Sequence, residues 1–95
     1  MTKSEYKYVL AWTHAQALHF ARTMEWKRSE WRYVGPGDGG VERLKGMHTV
    51  ILYEVRAPRY NATPIERDRM ERILAEIAIM QNSGRIIKTN VVNLP

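Results

Sequence analysis

Twice along this chain a β-preferring run gives way to a threonine that sits three residues ahead of glutamine or glutamate, with an apolar stripe at helical spacing beyond it. The first instance runs from Tyr6 to Trp12, passes Thr13 and Gln16, and continues through Ala17, Leu18, Ala21 and Met24. The second runs from His48 to Val55, crosses a short loop to Thr63, Pro64 and Glu66, and continues through Met70, Ile73, Leu74, Ile77 and Ala78. A threonine hydroxyl at a helix N-cap accepts from the amide three residues on, and a glutamine or glutamate there reaches back to the cap amide. Proline at the first helical position adds another start signal at Thr63. A chain that opens two helices in the wake of two strands is steered towards the α/β class.

The remaining segments complete the pattern. Trp31 to Val34 reads as a short second strand, closed by the glycine-rich stretch Gly35 to Gly40, where glycine allows positive φ and proline stops the ladder. That stretch is expected to be a flexible loop. Val41 to Lys45 suggests a helical turn, and the apolar centre of His48 to Val55 suggests a central strand covered on both faces. Gly84 should close the second helix, Asp68 and Arg72 are spaced for a helical ion pair, and Arg85 to Val92 supplies a last strand. The order β-α-β-β-α-β predicts a small sheet of about four strands, at least partly parallel, with two main helices: a miniature doubly wound fold in two or three layers. With 95 residues, positions 1–95 form a single domain.

Several classes of function are disfavoured by what the chain lacks. There is no cysteine, which removes disulfides, thiolate metal sites and cysteine nucleophiles. No apolar run reaches the length of a membrane span, and Met1 to Lys7 is polar, without the apolar stretch of a signal peptide, so a cytoplasmic location without membrane contact is expected. His14, His19 and His48 have no metal-ligand spacing, and no serine lies in a nucleophile elbow. A non-enzymatic protein without a cofactor is the expectation.

Two groups of residues carry the functional candidates. Trp26, Trp31 and Tyr33 are interleaved with Lys27, Arg28 and Arg32, a mixture that suits a protein interface and, given a net charge of +5, also single-stranded nucleic acid. In open α/β sheets ligands favour the crevice beyond the carboxyl ends of the strands. Here that edge would gather Thr13, His14, the Gly35 to Gly40 loop with Gly37 and Gly39, the Arg56 to Asn61 segment with Arg56 and Arg59, and Thr63. Helix N-termini and guanidinium groups make this edge a candidate anion, phosphate or nucleotide site. The glycine-rich loop nevertheless lacks the lysine and hydroxyl of a P-loop and the spacing of a dinucleotide fingerprint.

The run Tyr8 to Trp12, the alanine-bearing helix after it, Glu30 to Val34, and Leu44-Lys45-Gly46 ahead of an apolar strand together resemble small uncharacterised α/β accessory proteins of actinobacterial phages. The resemblance implies a protein of the host cytoplasm that acts by binding a host or phage macromolecule. Protein contacts, including self-association, are therefore the leading expectation, with nucleic-acid binding and a nucleotide or phosphate site as alternatives.

Overall fold

The computed structural model describes residues 6–36, 50–84 and 86–94. Four strands, β1 (Tyr6–Leu10), β2 (Trp31–Val34), β3 (Val50–Arg56) and β4 (Ile86–Asn93), form one sheet in the order β2-β1-β3-β4. All three neighbouring pairs are parallel. Helix α1 (His14–Thr23) joins β1 to β2, and α2 (Pro64–Asn82) joins β3 to β4. The expected α/β architecture is present, with a wholly parallel sheet. The anticipated turn at Val41 to Lys45 and the start of the third strand at His48 lie outside the described residues.

From β1 the chain steps one way along the sheet, and from β3 it steps the other way. Crossovers of one hand then place the two helices on opposite faces. The buried side chains divide accordingly. Tyr8, Leu10, Val34, Val50 and Leu52 pack with Met70, Ile73, Ile77 and Met80 of α2, whereas Val9, Ala11, Trp31, Tyr33 and Val55 pack with Ala17, Phe20 and Ala21 of α1. Strand alternation sorts adjacent residues such as Val9 and Leu10 between the two layers. Ala17 and Ala21 allow α1 to lie close to the sheet.

Local chemistry explains where each helix begins and ends. The Thr63 hydroxyl accepts from the Glu66 amide at 3.2 Å and Glu66 Oε1 accepts from the Thr63 amide at 2.9 Å, completing the box at α2. At α1 only half of the expected box forms. Thr13 Oγ1 accepts from the Gln16 amide, but Gln16 Oε1 is buried with no hydrogen-bond partner among the described residues. Gly84 follows α2 with φ of 81°, as its position suggested. After α1 the same left-handed role falls to Glu25, with φ of 61°, while the Trp26 amide donates to the Ala21 carbonyl at 3.0 Å. This is a Schellman closure built on a residue with a Cβ.

Two stripes differ from the expected ones. On α1, Phe20 is buried and Met24 is exposed, because the helix already ends at Thr23. On α2, Met80 joins the core, whereas Leu74 is 39% exposed and Ala78 is exposed. The hydrogen bond from the Gln81 side chain to Thr89 Oγ1 shows which flank of α2 overlooks β4. Leu74 and Ala78 share that flank, and both are exposed along it.

Candidate functional site: the strand-end cleft

Strands β1 and β3 are neighbours whose onward connections leave in opposite directions, so the sheet reverses its winding between them. Chain segments diverge at such a point and leave a crevice at the carboxyl ends of the strands. The crevice is present here, with a volume of about 330 Å³. Leu10 and Trp12 come from the end of β1, and Glu54 to Pro58 from the end of β3. Met70 and Leu74 come from α2, and Asn93 from β4.

The Trp12 wall is fixed from both sides. Its ring stacks on Tyr60, with centroids 5.7 Å apart and planes 25° from parallel. The Tyr60 hydroxyl donates to Glu66 Oε2 at 2.9 Å, which ties this pair to the first turn of α2. Hydrogen bonds from the Thr63 amide and the Tyr60 hydroxyl hold the Glu66 carboxyl below its ordinary pKa, while donating to that carboxylate raises the Tyr60 phenol above its own. Behind Trp12, the buried Tyr33 hydroxyl donates to the carbonyls of Ala11 and Trp12, each at 3.2 Å. Gly35 makes this junction possible. A Cβ there would overlap the Ala11 carbonyl oxygen and the Tyr33 hydroxyl and would sit 2.7 Å from Tyr33 Cζ. Absence of a side chain, not positive φ, is what this position requires.

Polar chemistry in the cleft is sparse. Glu54 rises on the α2 face of β3 by alternation with Leu52, and Arg56 Nε donates to Glu54 Oε2 at 3.0 Å. Asn93 pairs in register with Arg56 and adds an amide at the rim. The other described residues that line the space, Leu10, Trp12, Val55, Ala57, Pro58, Met70 and Leu74, are mainly apolar.

The sequence-derived candidates are distributed differently from expectation. Of the anion-site residues, Arg56 lines the cleft, whereas Thr13, His14, Arg59 and Thr63 do not. The Glu66 carboxylate already occupies the first turn of α2 beside Thr63, so that helix end is satisfied from within. His14 lies against Trp31 and Tyr33, at ring-centroid distances of 5.8 and 5.5 Å, on the β2 side. Gly37 and Gly39, with most of the loop expected to be flexible, lie outside the described residues.

The aromatic and basic residues do not assemble into one surface patch. Trp31 and Tyr33 are only 6% and 4% exposed, because both point into the layer beneath α1. Arg32 alternates to the other face and is exposed, as are Lys27 and Arg28. Trp26 is half-buried, packed edge-on against Phe20 and Tyr53 with Lys7 Nζ 5.5 Å from its ring centre. These rings pack a core layer, which leaves the neighbouring cations without an exposed stacking platform.

Of the crevice walls, Arg56 was among the residues the sequence singled out, whereas Trp12, Glu54, Leu74 and Asn93 were not. Their only sequence signal was indirect: Trp12, Glu54 and Asn93 fall within two residues of the end of a strand, and Leu74 on an apolar helical position. Among the described residues no group of three or more histidine, aspartate or glutamate side chains is placed to hold a metal ion, and no helix is long and apolar enough to cross a membrane. Comparison with family models, curated proteins and solved structures gives no match.

Proposed function

We propose that this protein is a binding domain for a small organic ligand, taken up in the cleft between the ends of β1 and β3. The observation that carries the reading is the coincidence of a cavity of about 330 Å³ with the reversal point of the sheet. Small-molecule sites fill concave, mostly apolar spaces of about 300 Å³ and upward with a few convergent polar groups, and here Glu54, Arg56 and Asn93 are those groups. The reading assigns binding rather than turnover. Its test is an amide-resolved NMR titration with a panel of fragment-sized carboxylates, amines and amino acids. Shifts clustered on Trp12, Glu54 to Ala57, Leu74 and Asn93, and abolished by Leu74→Arg, support it. A panel that perturbs none of these amides at millimolar concentration overturns it.

A second reading, contact with another protein or another copy of this chain, is favoured by β4. This strand is the last of the sheet, and Val91 upon it is 49% exposed. An edge of this kind offers a row of main-chain donors and acceptors to an added strand. The phage accessory role implied by the sequence resemblance belongs to this reading. Sedimentation of the intact chain tests self-association: a concentration-dependent dimer lost in Val91→Lys supports it, and a strict monomer at high concentration removes it.

A further inference from the structure

We propose that the ligand of the strand-end cleft is a free α-amino acid with an apolar side chain. The inference rests on the cleft being the binding site and adds the chemical class it accepts. Glu54 and Arg56 touch through one hydrogen bond, Arg56 Nε to Glu54 Oε2 at 3.0 Å. Among the described residues, Glu54 Oε1 and both terminal nitrogens of Arg56 have no protein partner. A ligand entering the cleft therefore meets an unused carboxylate oxygen beside an unused guanidinium fork. The fork donates two parallel hydrogen bonds to a carboxylate presented end-on. The oxygen accepts an ammonium.

A ligand with one charge cannot answer both. A simple carboxylate would bring its anion next to Glu54, and a simple amine would cover Arg56 without pairing it, a desolvation cost with no return. An α-amino acid carries both charges on one carbon and completes a four-charge arrangement without breaking the existing bond. The pair contributes little to folding as it stands, because the Arg56 and Glu54 side chains are 58% and 24% exposed. Ligand burial would strip water from it and strengthen each contact.

The rest of the space sets the side chain. Leu10, Met70 and Leu74 present hydrocarbon, and Trp12 presents indole. A polar side chain directed there would lose its hydration. The volume lies at the low end for ligand sites, which suits an amino acid better than a nucleotide. Among the described lining residues Arg56 is the sole cation, too few for a polyphosphate.

Isothermal titration of the intact chain with L-leucine and L-phenylalanine tests the class, alongside 4-methylpentanoate and 3-methylbutylamine, which are leucine without its ammonium and without its carboxylate. Leucine or phenylalanine should bind, and each single-charge analogue should bind about tenfold to a hundredfold more weakly than leucine, the range for losing a charge-assisted contact. Glu54→Gln should abolish the preference for leucine over 4-methylpentanoate, and Arg56→Gln the preference over 3-methylbutylamine, with circular dichroism confirming that both variants fold. Equal binding of leucine and 4-methylpentanoate, both lost in Leu74→Arg, overturns the zwitterion class while the cleft survives as the site. Leucine binding unaffected by Leu74→Arg overturns the placement. Absence of binding by both amino acids overturns the class, and the fragment titration then decides separately whether the cleft binds anything.

Discussion

Replacing Gly35 by alanine probes the junction that carries Trp12 to the cleft wall. Gly35 is buried after β2, and its φ is not in the positive range, so alanine suits the backbone there and should by itself add about 0.4–1 kcal/mol through the unfolded chain. Sterics act against this. The new Cβ would overlap the Ala11 carbonyl oxygen and the Tyr33 hydroxyl. Overpacking costs about 1–3 kcal/mol, and the upper end applies because the Ala11 carbonyl follows an interior strand that cannot turn aside. The net loss is about 2 kcal/mol, which lowers Tm by about 8–16 °C in a domain of this size. Thermal and urea unfolding followed by circular dichroism measure it. Tyr33→Phe alone costs about 1 kcal/mol for the hydroxyl that bonds Ala11 and Trp12. In the double variant the hydroxyl obstruction is gone but the carbonyl remains, so the combined loss falls short of the sum by about 0.5–1 kcal/mol. Gly35→Ala at parental stability or above, or full rescue by Tyr33→Phe, would refute this account of the junction.

Three further outcomes follow from the helix ends. Glu25→Gly should raise stability by about 1 kcal/mol, since it removes a Cβ from a residue at φ of 61°, whereas Gly84→Ala, at φ of 81° in open space, should lower it by about the same amount; urea midpoints of both variants check the opposed signs. Thr63→Ala should cost about 1 kcal/mol by removing the acceptor for the Glu66 amide, measured in the same assay, and a neutral result would contradict the cap geometry. Glu66 has its carboxyl held below the ordinary value of 4.5, so its contribution is complete above that pH and is lost as pH falls through the folded-state value. The Tm advantage of the parent over Glu66→Gln should shrink between pH 5 and the acid limit of folding, and a difference independent of pH would exclude the linkage.

The legible parts of this protein are those governed by neighbours in the chain. Thr63, Pro64 and Glu66 supply every atom of their own cap, and Gly84 takes the φ that its place after a helix demands, so both could be read from short stretches of sequence. The strand runs read at Tyr6 to Trp12 and His48 to Val55 announced themselves through β-branched and aromatic residues, and strands lie within them at Tyr6–Leu10 and from Val50 onward. Even the edge where the cleft opens was readable, because an alternating β-α order already places strand ends and helix starts together. The errors lay wherever distant segments compete for the same space. Gln16 matched the capping pattern but does not bond back to its cap, and Trp31 and Tyr33, which resemble a display of hot-spot rings when written in a line, are drawn beneath α1 by the demand for burial.

Strand order is where tertiary structure decided the outcome. Nothing local distinguishes a sheet that reverses between β1 and β3 from one that winds in a single direction, since the difference lies in which strands pair after a long connection. That pairing sets the helices on opposite faces, turns Leu74 from an expected core residue into a cleft wall, and brings Glu54 and Arg56 of β3 between Trp12, two residues past β1, and Asn93 of β4. Local bonding wrote the helices and strands into the chain, whereas burial of apolar area across segments far apart in sequence built the space in which these four residues meet.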